Sequence, residues 1–359
     1  MKEMLSKTEC SAMRGIAILA IMLHNYCHFI GGIVRENEYR FYDFNNNRLW
    51  QVLSNPNELL PVHLLSYFGH YGVPVFLFLS GYGLVKKYES GDATTRSIPF
   101  LRYHYLKLFR MLIVGFVLFL IVDTLTPGRF AFHWDNVIAQ LLMYINVLPE
   151  PNRIIWPGIY WFFGLMMELY IVYRLLLYRR SSWIVIALMV ICWQLQALCE
   201  PDGDTLNRLR YNFIGGMLPF GLGIILARVP NKGTISLLMG NQEFAYGKLL
   251  VWLLLIIFSC MLTFVMSYYF QTWLWIPAII ILGCIAMMKA MPEWLLKVFV
   301  WFGSISAAMF VAHPITRKLF ISIALKQDPY DGLMVYVVVT IALSWAVKQV
   351  IDRIPSPRL

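Results

Sequence analysis

Two histidines, His24 and His28, interrupt "MRGIAILAIMLHNYCHFIGG", residues 13–32, a stretch that is otherwise apolar enough to cross a bilayer and that Arg14 opens. Ionisable groups inside a span are costly, so each marks either a function or a pairing. His24 lies ten residues past Arg14, about 15 Å along a helix axis, which puts it near mid-membrane if Arg14 marks the interface. A neutral imidazole there can take a proton from a hydroxyl as a general base. It can equally hydrogen-bond across helices and simply hold them together. His28 is one turn further along the same face, near the opposite surface, as a substrate contact or an interfacial residue. The spacing leaves open which of the two is the base.

A second candidate site is "FLRYHYLKLFRMLIVG", residues 100–115, which brings Arg102, Lys107 and Arg110 to the start of a span just after Lys86 and Lys87 leave the previous one. Lys107 and Arg110 share a helix face. Such a cluster can grip phosphates through charge-assisted hydrogen bonds, or it can be the cationic bias of one membrane side. Three more residues are substrate-binding candidates. Glu168 must be matched by a partner on another helix, as a structural pair or as a site wall. His313 can orient an acceptor or stabilise packing, and Trp161 can stack on a sugar or sit in an aromatic belt. The motifs of soluble enzymes, G-x-x-x-x-G-K-[ST], H-E-x-x-H and G-x-S-x-G, do not occur. The six cysteines form no C-x-x-C pair, and no metal site is expected.

These groups have to be positioned by membrane helices. With 359 residues, 59% apolar content and 14% charged residues, the chain lies outside the range of soluble domains. The expected fold is all-α: one polytopic transmembrane domain over residues 1–359 with about ten spans. These run roughly over 12–34, 67–86, 103–123, 157–178, 182–199, 212–228, 248–267, 273–290, 299–324 and 332–352. In "WDNVIAQLLMYINVLPEP" the apolar residues recur at helical spacing but Asn136, Gln140 and Asn146 break them up, which predicts an interfacial or re-entrant helix. Residues 37–66 form a polar and aromatic loop large enough to build a binding surface.

The net charge of +10 reads as membrane topology and not as nucleic-acid binding. Nineteen of the 30 lysines and arginines fall on the side of the N-terminus and ten on the other. This places both termini in the cytoplasm of a multi-pass protein of the plasma (inner) membrane, in contact with lipids.

"MRGIAILAIMLHNY", "GVPVFLFLSGYGLVKKY", "YLKLFRML", "YWFFGLMMELY" and "SAAMFVAHPI", in this order and over nearly the whole chain, resemble the successive signatures of the integral-membrane acyltransferase family three. The resemblance implies transfer of an acyl group, usually acetyl from acetyl-CoA, to a hydroxyl of a cell-surface or lipid-linked glycan. Acyl-CoA is then a co-substrate, and no cofactor is tightly bound. The family's first-span arginine and histidine fall on Arg14 and His24, its basic pair on Lys107 and Arg110, and its late histidine-proline on His313 and Pro314. Under this reading His24 is the catalytic base, while Arg14, Arg102, Lys107 and Arg110 bind the CoA moiety.

Two positions depart from the family pattern. Lys107 stands where an arginine is more usual, and nine residues instead of ten separate Arg14 from His24. In a straight helix that spacing turns the two side chains about 80° apart: either a π-bulge in the first span realigns them, or Arg14 is not His24's partner and sits at the headgroups. The rival readings are a transporter or flippase of lipid-linked glycans, whose passage the same polar residues would line, and a non-catalytic membrane sensor.

Overall fold

The computed structural model describes residues 4–91, 95–229, 245–326 and 328–358. Lys2 and Lys232, both counted in the topology reading, lie outside them. The described residues contain helices and no strand. In chain order the helices longer than one turn are α1 (Lys7–Cys27), α2 (Asp43–Ser54), α3 (Leu60–Phe68), α4 (Gly72–Tyr88), α5 (Ser97–Leu125), α6 (Trp134–Leu141), α7 (Trp161–Val172), α8 (Ser182–Ala197), α9 (Asp204–Tyr211), α10 (Phe213–Arg228), α11 (Ala245–Met266), α12 (Ile276–Ala290), α13 (Glu293–Lys326) and α14 (Pro329–Arg353).

The protein is a multi-pass membrane protein. Among the described residues seven helices are long and apolar enough to cross a bilayer, and an eighth span is obtained if α9 and α10 count as one, since they meet at a 44° bend. α8 and α12 are apolar but shorter. Lipid-facing surfaces are visible in the side-chain pattern. On α11 the exposed Leu250, Leu254, Ile257, Phe258, Met261 and Val265 repeat along one stripe, an outward apolar face suited to a hydrocarbon solvent.

Several boundaries move from their expected places. α1 begins at Lys7, where a capping box between Ser6 and Glu9 satisfies the first amides, and it ends at Cys27, ahead of Gly31 and Gly32. The second span includes the 3₁₀ turn Gly69–Tyr71 between α3 and α4. Of the two alternatives for the first span, the π-bulge does not occur, because α1 is an uninterrupted α-helix. A π-turn occurs instead at Tyr173–Leu177, continuing α7.

α6 turns its polar side chains inward: Asn136 donates to the Ile154 carbonyl and Gln140 to that of Tyr160. Trp134, Ile138 and Leu142 face outward, so this helix presents an apolar side to the surroundings, as expected of a helix at the membrane interface.

α1 is the central element and packs most extensively on α13 and also on α3 and α4. Glycines allow this closeness. A Cβ on Gly15 would collide with the Phe299 carbonyl and one on Gly303 with the Ser11 carbonyl, so each helix backbone rests on the other. Gly69 does the same against α1, where a Cβ would lie 2.6 Å from the Ala20 oxygen and 2.7 Å from the His24 Cβ.

Candidate active site

Two cavities lie end to end along α1. One, of about 350 Å³, is lined by His24, His28 and His70 together with Asn25, Glu38, Tyr39, Trp156, Trp161, Tyr211 and Arg317. The other, of about 370 Å³, is lined by Arg14, Lys107, Ser80, Tyr170, Ser304 and Ser306 among apolar residues. Both volumes fall in the range of small-molecule sites. The cavities share Ile21, Val73, Phe162 and Phe310, so α1, α4, α7 and α13 each contribute one side chain to a partition between them. The Phe162 and Phe310 rings are 5.3 Å apart in this wall.

The one-residue-short spacing of Arg14 and His24 is absorbed without a bulge. Arg14, Ile21, His24, Asn25 and His28 all line one cavity or the other. On a regular helix these five positions span an arc of about 100°, wide enough to face a continuous passage. Arg14 and His24 therefore serve different cavities on one face of α1 and are not direct partners.

His24 is held by its Nδ1, 2.8 Å from the Ser66 carbonyl. A carbonyl only accepts, so Nδ1 carries the hydrogen, and in the neutral ring Nε2 keeps its lone pair. This is the tautomer in which a backbone acceptor orients an imidazole for proton abstraction. The His28 ring is 5.0 Å and the His70 ring 5.4 Å from that of His24. Among the described residues no group of three His, Cys, Asp or Glu side chains is placed to hold a metal ion.

The loop after α1 closes over this cavity. Tyr39 stacks on Tyr211 with centroids 4.1 Å apart and meets Trp161 edge-on at 5.5 Å, so Trp161 stands in an aromatic wall. Glu36 and Glu38 are buried in the same loop, and burial pushes their carboxyls up to about 8 and about 7. Glu36 accepts from Asn45 at 2.9 Å, while Arg210 faces Glu38 and binds its backbone carbonyl.

At the other cavity Arg14 and Lys107 present two cations. Lys87, near the same end of the bundle, stacks over Tyr88 and Tyr103 at 4.9 and 4.4 Å.

The remaining candidates line neither cavity. Arg102 is exposed on α5. Arg110 turns to the chain end, donating to the Ile351 carbonyl and to Ser356 Oγ, each at 2.7 Å. Glu168 accepts from Asn146 at 2.9 Å and from the Phe213 amide at 2.7 Å. It thereby caps the first turn of α10 at the bend, where a carboxylate is favoured. His313 is fully buried and bonds the Met309 carbonyl of its own helix at 3.0 Å, just before Pro314.

His70, Arg317 and the four-residue partition were not anticipated. The first two carried a signal, each being an ionisable residue within an apolar stretch, "FGHYGVP" and "HPITRKLF". The partition carried none, because apolar side chains that close a passage look like any other core residues.

A family model described as an acyltransferase domain matches residues 10–348. No curated protein matches the chain, and no solved structure matches it.

Proposed function

From the premise that the chain belongs to this acyltransferase family, we propose that it transfers an acyl group, acetyl from acetyl-CoA, to a hydroxyl of a cell-surface or lipid-linked glycan at the plasma membrane. The observation that carries this reading is the pair of cavities that meet at a thin apolar wall, one holding cations and the other the backbone-oriented His24. With both termini cytoplasmic, the Arg14 and Lys107 cavity opens toward the cytoplasm and receives acyl-CoA. The two cations take up its phosphates, with Arg102 on the approach. The pantetheine arm then carries its thioester into the gap of the partition, between Phe162 and Phe310, where the two cavities adjoin and the acyl carbon comes within reach of the His24 side.

The acceptor hydroxyl binds from the opposite side beside His24, against the aromatic wall that includes Trp161. Nε2 of His24 takes the hydroxyl proton as the oxygen attacks the thioester carbon. The new C–O bond forms, the C–S bond breaks, and the CoA thiolate leaves with the proton that the imidazolium returns. Holding both reactants at one partition supplies proximity, and the apolar wall keeps water from the thioester.

The test is release of CoA from acetyl-CoA by purified protein with a crude glycan fraction. His24→Ala should abolish turnover. Lys107→Ala should raise the acetyl-CoA concentration needed for half-maximal rate while leaving the maximal rate near that of the parent. Folded parent that neither binds nor turns over acetyl-CoA would sink the proposal and favour the transporter reading, to which the bend between α9 and α10 lends a broken helix.

A further inference from the structure

Three arginines line the histidine cavity, Arg40, Arg153 and Arg317, and the last is the one for which no acidic partner is found among the described residues. Arg317 sits on α13 one turn past His313, is only 4% exposed and lines the cavity with His24 and His28. Its guanidinium lies over the Phe29 ring at 4.1 Å and the Trp156 ring at 5.3 Å. Nη1 is 3.3 Å from both the backbone oxygen and the side-chain oxygen of Asn25. These contacts orient the fork but are all to neutral groups. Among the described residues no carboxylate lies within 4.0 Å of it, and Nε and Nη2 have no protein partner.

The other charges around the cavity are matched. Arg40 pairs with Asp204, and Arg153 pairs with Glu150 at 3.3 Å. Glu38 faces Arg210. A desolvated guanidinium without a counter-ion is expensive to maintain, and a planar fork held against two rings is pre-organised for a planar or tetrahedral oxyanion. Nδ1 of His28, buried without a hydrogen-bond partner in the same lining, offers a further polar contact.

Resting on the reading of this cavity as the acceptor's site, we propose that the acceptor carries an oxyanion group, a carboxylate or a phosphate, and that Arg317 selects for it. The anion completes the ion pair that the protein leaves open, and the hydroxyl to be acylated is thereby fixed beside His24. Arg317 is a specificity residue, separate from the proton transfer.

The experiment is a ligand-observed NMR titration of the full-length protein in detergent at constant ionic strength, without acyl-CoA, using D-glucose, D-glucuronate and D-glucose 1-phosphate. The parent should bind one or both charged sugars at least tenfold more tightly than glucose, and the preferred one distinguishes carboxylate from phosphate. Arg317→Gln should remove the preference, and Arg317→Lys should retain part of it. Equal affinity of the parent for all three sugars, absence of charged-sugar binding, or a preference that survives Arg317→Gln would each overturn the proposal. The parent comparison does not depend on a variant folding. Because no thioester is present, a failure of acyl transfer leaves this result standing, and loss of anion preference leaves acyl transfer untouched.

Discussion

Gly69→Ala is the substitution whose consequence follows most directly from the geometry around His24. The added methyl would lie 2.6 Å from the Ala20 oxygen and 2.7 Å from the His24 Cβ, whereas ordinary van der Waals contact begins near 3.4 Å. The 3₁₀ turn and α1 must therefore part by about 0.8 Å to free the closer contact. Overpacking of this kind costs roughly 1–3 kcal/mol of stability. The same displacement moves His24 relative to the Ser66 carbonyl that holds it at 2.8 Å. Since misplacing a reacting group by about 1 Å can cost on the order of 10²-fold in rate, kcat for CoA release should fall by tens of fold. KM for acetyl-CoA should stay near the parent value, because Arg14 and Lys107 face the other cavity. Gly83→Ala on α4 is the control, since its Cβ would meet nothing within 4 Å. The assay is steady-state CoA release with a thermal unfolding curve for each variant. A Gly69→Ala protein with parental kcat, or one in which only KM changes, would refute the idea that this contact sets the position of His24.

Three further outcomes are expected. Lys107→Ala should raise the acetyl-CoA KM by roughly ten- to a hundredfold, the worth of one charge-assisted hydrogen bond of about 1.5–3 kcal/mol. Arg110→Ala should change KM far less and instead expose the C-terminal segment around Ser356 to limited proteolysis. Phe310→Ala should thin the partition and raise the ratio of free acetate to acylated product, measured with labelled acetyl-CoA; an unchanged ratio would mean that the wall does not keep water from the thioester.

The buried carboxyl of Glu36 should make stability depend on pH. Its folded pKa of about 8 lies above the ordinary value of 4.5, so the folded protein holds a proton that the unfolded chain releases. Stability should therefore fall as pH rises from about 4.5 to about 8, by up to about 1.4 kcal/mol per pH unit, and level off above. Glu36→Gln should reduce that slope, leaving below about pH 7 the share that Glu38 contributes, with its largest gain in thermal midpoint near pH 8 and none below pH 4.5. A parental slope in the variant would contradict this origin.

The sequence by itself determined that the chain is helical and crosses a membrane, because hydrocarbon admits backbone only where it satisfies its own hydrogen bonds and because long apolar runs are a local property. It also singled out Arg14, His24 and Lys107, since ionisable residues in apolar surroundings stand out without knowledge of their neighbours. Boundaries were less legible: the Ser6 to Glu9 capping box moved α1 toward the N-terminus, and the 3₁₀ turn at Gly69–Tyr71 merged α3 and α4 into one span. What only the tertiary structure decided is which of these charges share a space. Glu168 looked like a site wall or a structural pair, and Arg110 like a partner of Lys107 in gripping phosphates. Packing gives the first to the α10 amide and the second to the chain end, while it brings His70 and Arg317, more than forty and nearly three hundred residues away in sequence, beside His24. The physical reason is that a side chain's partner in a helical bundle is set by the rotation and depth of neighbouring helices. Those depend on close contacts such as Gly15 on Phe299 and Gly69 on Ala20, which no single helix encodes on its own.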